Sequence, residues 1–314
     1  MWWLRMNTQA KIDYNKRSAI RYGWIPPWFG VDEFSEQLVK NILDFQKEHD
    51  LEPDGLCGSM TYSRVMTERE ANEDTNYITC NGENVVIDWD KTISLTHENS
   101  KVLPATSFKK VQEHGKATTP VTHWESVLKP RNPTMIVTHW DAALSADSCY
   151  KILKKRGISS HFVIDNDGTI YQMVDTQNIA WHAGIRSVNE ASIGIDFTNA
   201  YYTKYQNWYE RKGFGPRPVL EGVKMHGRTL DPFLGYYPVQ IDAYRALVKG
   251  LCKHYDIKLE CPLDEHGELL STVDDSAAKG QFEGVVGHYH LTRRKKDTAG
   301  LELKEILEDI KIGG

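Results

Sequence analysis

Two short apolar runs, far apart in a chain of 314 residues, each lead into a histidine. Met135-Ile136-Val137-Thr138 precedes His139, and Val285-Val286-Gly287 precedes His288. Runs of this length and composition read as buried strands of an α/β sheet. Strand ends are where open α/β sheets place their sites. Two imidazoles and a carboxylate at such a place leave one position of a tetrahedral zinc open for water, as a hydrolase requires. The fold must therefore bring two distant segments into one sheet for the chemistry to exist.

The third ligand has two candidates. His290 stands two residues after His288, and in a strand it would share that face. Asp297 follows the basic run Arg293-Arg294-Lys295-Lys296, where a carboxylate equally makes a surface ion pair of little energetic weight. Spacing leaves both open. Asp196 lies inside the apolar stretch Ile193-Gly194-Ile195-Asp196-Phe197. Burial there raises its pKa and suits it to general-base work, although a hydrogen-bonded structural aspartate fits the same pattern. Ala180-Trp181-His182-Ala183-Gly184 puts an aromatic ring and an imidazole on a loop, as ligand contact demands, and His161 precedes a strand.

Composition narrows the function classes. A net charge of -5 argues against nucleic acid as partner, because that needs a basic footprint. No apolar run has the length of a membrane span, which speaks against membrane insertion. Met1-Trp2-Trp3-Leu4-Arg5 is too short for a signal peptide, so synthesis in the cytoplasm is expected. Cys57, Cys80, Cys149, Cys252 and Cys261 form no CxxC pair and read as small buried hydrophobes.

Periodicity divides the chain. Phe34, Leu38, Ile42 and Phe45 make one helical stripe over 32–49, with Asp32 or Ser35 as cap. A turn-rich loop at 50–58 and a second helix at 59–66 complete a small helical unit. Residues 67–76 read as a linker. Val85–Trp89 and Thr92–Leu95 look extended, whereas 97–130 offer few cues. A helix is expected at Ser148–Arg156 and a hairpin over Phe162–Tyr171 with Asp167-Gly168 as its turn. Residues 200–238 look like a long irregular insertion whose Tyr201, Tyr202, Tyr205, Trp208 and Tyr209 either border a groove or pack the insertion itself. Ile241, Tyr244, Leu247, Val248, Leu251 and Tyr255 mark an amphipathic helix.

Taken in order, His139-Trp140-Asp141, the stretch Ser160–Gln172, Ala180–Gly184, Ser192–Asp196 and Val286-Gly287-His288 resemble the zinc-dependent N-acetylmuramoyl-L-alanine amidases of the type-2 (peptidoglycan-recognition-protein-like) class. The resemblance covers about residues 130–305. The first unit is similar to the helical peptidoglycan-binding domain found beside cell-wall hydrolases, on the signature residues Phe45, Gln46, Asp54, Gly55 and Gly58.

The resemblance implies an α/β fold with a mixed central sheet flanked by helices, preceded by a small all-helical domain. The implied organisation is a peptidoglycan-binding domain at 1–70, a linker at 71–84 and a catalytic domain at 85–314. It implies Zn2+ held by His139, His288 and Asp297, which settles the third ligand against His290. It implies Asp196 and Lys295 as catalytic residues, and His161, Trp181 and His182 at the substrate. The implied activity is cleavage of the amide bond between N-acetylmuramic acid and L-alanine, with bacterial peptidoglycan as partner. The alternative is a non-catalytic peptidoglycan binder on the same fold. A binding domain joined to an amidase looks like a phage endolysin, a monomer reaching the wall after release; a bacterial effector delivered by a secretion machine fits almost as well. The chain departs from the family pattern in three places: Asp196 stands where glutamate is usual, Ser160 where some phage members have tyrosine, and Thr298-Ala299 where a proline is usual, which implies a looser loop.

Overall fold

The computed structural model describes residues 6–49, 51–58, 60–62, 64–65, 76–94, 112–113, 116–117, 124–125 and 131–313. The chain divides into two compact units, Met1–Asp74 and Thr75–Gly314. Leu95, most of 97–130 and residues 67–75 of the expected linker lie outside the described residues.

In the first unit the helix Glu36–Glu48 buries Leu38, Val39 and Ile42, and the Ser35 hydroxyl caps it by accepting from Leu38 N. Of the helix expected at 59–66, residues 60–62 and 64–65 are helical, and Ser59, Ser63 and Met66 lie outside the described residues. An earlier helix, Thr8–Tyr22, has no apolar stripe and was not anticipated. Its inward face mixes Ile12 and Ala19 with Asn15 and Ser18, which dock on backbone groups of the 54–58 loop. Asn15 Nδ2 donates to Gly55 O, Asn15 Oδ1 accepts from Cys57 N, and the Ser18 hydroxyl donates to Cys57 O.

The signature residues of this unit are internal. Gln46 is 2% exposed; its Nε2 lies 2.8–3.1 Å from Asp54 Oδ1, Leu56 O and Thr61 Oγ1, and its Oε1 accepts from Gly55 N at 2.8 Å. Gly55 has φ +72°, and a Cβ there would sit 2.9 Å from Val39 Cγ1. Phe45 packs edge-on against Phe29. Gln46 and Gly55 thus close the loop, and the Gln46 side chain does not face outward.

The second unit is built on a six-stranded mixed sheet in the order Gly284–Gly287, Met135–Trp140, Ser192–Phe197, Phe162–Ile164, Ile170–Gln172, Thr92–Ser94. The first four strands are mutually parallel, and Phe162–Ile164 and Ile170–Gln172 form the expected antiparallel hairpin. Alternation sorts the side chains. Ile136, Trp140, Ile193, Ile195, Phe197 and Val285 share a core with Tyr244, Leu247, Val248 and Leu251 of the helix Pro238–Tyr255 and with the C-terminal helix Leu303–Ile312. Met135, Val137 and Val286 face the other way, toward Ala183, Val188 and Ala277. His139 and Asp196 continue that second face.

Two expectations are revised. Residues 77–84 are not linker: Tyr77–Cys80 pairs antiparallel with Glu83–Val86, and Ile78 and Cys80 enter the main core. The 200–238 insertion is not irregular throughout, since it holds the helix Gln206–Arg211 and pairs Val219–Leu220 with Phe233–Leu234. Arg217, 2% exposed, organises it from within: its guanidinium lies between the Tyr209 and Tyr237 rings and donates to Gly235 O and Thr198 O. All five cysteines are free and buried. Among the described residues no helix is long and apolar enough to cross a membrane.

Gln46→Ala leaves the buried Gly55 N–H without its partner and opens a gap beside Asp54, Leu56 and Thr61. It is expected to destabilise that unit by about 2–4 kcal/mol. Thermal unfolding of the full chain checks this, as an early transition that the wild type lacks.

Candidate metal centre

Sheet register assembles the site. In the parallel ladder Asp196 pairs with His139, and Gly287 pairs with Thr138, so that His288 follows at the level of His139. Three adjacent strands thus deliver His288, His139 and Asp196 at one height. The strand ends at Gly287, and His288–His290 forms a 3-10 turn. The chain then returns through the basic loop to Asp297, whose carbonyl accepts from Tyr289 N.

His139 Nδ1, His288 Nδ1 and Asp297 Oδ2 form a triangle with edges of 2.9, 2.8 and 3.3 Å. All three residues are buried, and together they make a group able to hold a metal ion. Tetrahedral zinc with bonds of about 2.0–2.1 Å to nitrogen and oxygen separates its ligand atoms by roughly 3.3 Å, so the triangle fits such a group after slight expansion.

The electrostatics agree with the geometry. Burial and the neighbouring His288 push His139 down to about 4 and keep it neutral, against the pull of Asp297. Burial acts to raise Asp297, but the neighbouring His139 and His288 outweigh it and hold the carboxyl well below its ordinary range. Neutral imidazole and ionised carboxylate are the forms that bind metal. Asp196 goes the other way: burial and the nearby Asp141 raise it to about 8, while a hydrogen bond from Ser160 and the charge of Lys295 pull down. Lys295 is exposed, and its charge reaches both Asp196 and His139.

His290 is turned away. Its Nδ1 accepts from Gly287 N and its Nε2 donates to Leu270 O at 2.7 Å. The same-face argument for His290 presumed a strand; a 3-10 turn advances about 120° per residue, so side chains two apart diverge.

Two residues expected at the substrate, His161 and His182, lie inside the protein. His161 is fully buried, with Nδ1 accepting from Gly194 N and Nε2 donating to Asn178 O. His182 has Nδ1 2.9 Å from His139 Nε2 and Nε2 3.2 Å from Ser192 Oγ. Neither ring has a nitrogen left for a substrate. Trp181 is half-buried. The loop after Asp297 is not loose: Thr298 and Ala299 are buried, and Ala299 N donates to Lys296 O at 2.7 Å.

The aromatic residues of the insertion pack in two places. Tyr209 is buried against Ala200, Leu234 and Tyr237, with Trp208 and Tyr205 packed on that cluster. Tyr201 instead stacks on Trp140 at 5.1 Å, and the Lys296 ammonium sits 4.4 Å from its ring centre. Sequence reading missed Tyr201 with Lys296 as a pair, and also Ser192 and Gly194 as part of the site. The alternation Ser192, Gly194, Asp196 on the face of His139 was the available signal.

A mixed sheet that brings two imidazoles and a carboxylate together at its strand ends defines an α/β protein with a His-His-Asp centre. Residues 129–300, more than half of the chain, match the model of the N-acetylmuramoyl-L-alanine amidase family, and the chain belongs to that family as a type-2 amidase. The N-acetylmuramoyl-L-alanine amidase AmiD of Escherichia coli (strain K12) is 29% identical over 127 residues, which cover 36% of this chain and 38% of AmiD. The chain thus matches well under half the length of that relative. Among solved structures, E. coli AmiD in complex with anhydro-N-acetylmuramic acid-L-Ala-D-gamma-Glu-L-Lys is similar at a TM-score of 0.38 and 23% identity, over 65% of this chain and 66% of that one. AmpDh3 of Pseudomonas aeruginosa, in complex with anhydromuramic pentapeptide, is similar at 0.37 and 21%, over 58% and 62%.

Asp196 gives a pH prediction for the metal-free protein. Below its unfolded value of 3.8 the carboxyl is neutral in both states, so it makes no difference. As pH rises toward the folded value of about 8, the unfolded chain gains by releasing the proton and stability falls. Asp196→Asn removes this dependence. Relative to wild type it should gain roughly 2–4 kcal/mol between pH 4.5 and pH 8. Urea unfolding with a chelator present at both pH values measures the difference; an unchanged difference would contradict the burial of this carboxyl.

Proposed function

We propose that this chain is a peptidoglycan hydrolase that cleaves the amide bond between N-acetylmuramic acid and L-alanine. The convergence of His139 Nδ1, His288 Nδ1 and Asp297 Oδ2 within one buried triangle supports this reading most. It falls inside the span that carries the family match. His139, His288 and Asp297 would hold zinc. What zinc supplies when bound is Lewis acidity, which polarises the scissile carbonyl and makes water acidic near neutral pH.

The remaining chemistry belongs to side chains. Asp196 stands beside His139 at the same height of the sheet, with a carboxyl that holds its proton in the metal-free protein. A positive charge in the triangle favours the ionised form, so Asp196 becomes a base within reach of neutral pH. It takes the proton of the attacking water at a carboxylate oxygen and passes it to the departing alanine nitrogen. Lys295 sets an ammonium where the carbonyl oxygen becomes negative. Its backbone is pinned, since Lys295 O accepts from His226 Nε2 at 2.8 Å.

The first unit is proposed to hold the enzyme on the wall, raising local substrate concentration without adding chemistry. The setting this favours is an endolysin-like or delivered enzyme acting outside the cytoplasm.

Purified peptidoglycan incubated with the protein should release intact stem peptides with a free L-alanine amine. Zinc should be present at one equivalent by elemental analysis. His139→Ala, His288→Ala and Asp297→Ala should each lose both zinc and peptide release. Lys295→Ala should keep its zinc and lose about 10²–10³ in kcat. Full peptide release after chelation, or from His139→Ala, overturns the proposal, and binding of peptidoglycan with no release identifies a binder instead.

A further inference from the structure

We propose that His182 is a positioning residue for the metal centre. Through a one-way chain of hydrogen bonds ending on the Val188 carbonyl, it fixes His139 in the tautomer whose Nδ1 lone pair faces His288 and Asp297. The inference rests on the reading of that triangle as a metal site.

The direction of the chain follows from its far end. The Val188 carbonyl can only accept, and Ser192 Oγ lies 2.6 Å from it. A hydroxyl has one proton, so that of Ser192 is committed there. Ser192 Oγ is also 3.2 Å from His182 Nε2 and must accept, which places a proton on His182 Nε2. A neutral imidazole carries one proton, and that of His182 is spoken for by Ser192. Its Nδ1 is then bare, and at 2.9 Å from His139 Nε2 it accepts in turn. The His139 proton therefore resides on Nε2, and Nδ1 is left as a lone pair pointing at His288 Nδ1 and Asp297 Oδ2. Reversing the chain would require a carbonyl to donate.

A second observation, independent of the hydrogen bonds, shows that the fold makes room for this ring. Gly194 lies beneath it on the same strand as Ser192 and Asp196. A Cβ built on Gly194 would stand 2.6 Å from His182 Cγ and 2.9 Å from its Nδ1. Any side chain there displaces the imidazole. Gly194 itself is held by its N–H donating to His161 Nδ1, and the His161 ring packs edge-on to His182. The backbone on the other side is held too, because Asn189 Oδ1 accepts from both His182 N and Ala183 N. Seat, backbone and both ring nitrogens are fixed, which a residue exposed for substrate contact does not need. Partners that orient a metal-ligating imidazole are worth about 10–100-fold in metal affinity.

The test uses the full chain and zinc itself. In the metal-free, 15N-labelled protein, long-range 1H–15N spectra should show His139 protonated at Nε2, with that proton protected from exchange, and bare at Nδ1. Zinc dissociation constants from chelator competition should rise about 10–100-fold in His182→Ala. His182→Asn keeps an acceptor oxygen where Nδ1 stands and should stay within about threefold of wild type. Gly194→Ala should weaken zinc as His182→Ala does, yet add nothing in the His182→Ala background, where the ring it displaces is gone. Equal losses in His182→Ala and His182→Asn would make the ring mere packing and overturn the inference. So would wild-type affinity in His182→Ala, or His139 protonated at Nδ1. A wild type that binds no zinc overturns the metal reading and this inference with it, whereas zinc bound equally by wild type and His182→Ala overturns this inference alone.

Discussion

The parallel register of three strands is the constraint on which the site depends. Asp196 stands opposite His139, and Gly287 opposite Thr138, so one residue of slip in either pairing would carry a functional side chain to the opposite face. That opposite face is occupied by the apolar core against the helix Pro238–Tyr255, where Ile136, Ile195 and Val285 are fully buried. Register is thus set by hydrophobic burial, the largest favourable term in folding. The polar centre sits on the other face of the same strands and takes its alignment from a core it does not touch. Because the ladder hydrogen bonds are made regardless of what the site does, its geometry is prepared before any ligand arrives.

Burial then decides the charge states. Enclosure disfavours every ionised group in the cluster, and the neighbours determine which one escapes. Asp297 does, because His288 and His139 lie against it; Asp196 does not, because burial and the charge of Asp141 act on it together. The two aspartates therefore differ in environment and not in kind. One is held as an anion and the other as a proton carrier, a division that general acid–base chemistry needs.

Much of this was legible in the sequence, and the misses have physical causes. The apolar runs before His139 and His288, the Asp167-Gly168 turn and the stripe from Ile241 to Tyr255 fixed the sheet and its covering helix in advance, because each is a local signal of period two or 3.6. His290 misled because one residue decides whether a strand continues or turns, and Gly287 ends it. Helix Thr8–Tyr22 was invisible because its buried side chains include Asn15 and Ser18, whose partners are backbone atoms some 40 residues away. His182 was read as a substrate contact because polarity in a loop suggests solvent, and Gln46 only as one residue of a signature. Only the three-dimensional arrangement shows that their partners are internal.

Those last two residues follow one rule. A buried polar side chain is tolerated when each of its donors and acceptors is matched, and it then becomes an orienting device, since only one placement matches them all. Gln46 does this for a loop with no chemistry of its own, by matching both the Gly55 N–H and acceptors on Asp54, Leu56 and Thr61. His182 does it beside the cluster, with Ser192 on one nitrogen and His139 on the other. The difference lies in what the orientation serves. In the first unit it closes a turn against Val39. In the second it sets the direction of a lone pair, which places the requirement for Gly194 and Ser192 on the strand that also carries Asp196. A strand that must admit an imidazole at one position, accept its proton at a second and present a carboxyl at a third has little freedom left in its inward residues, and its small side chains follow from that crowding.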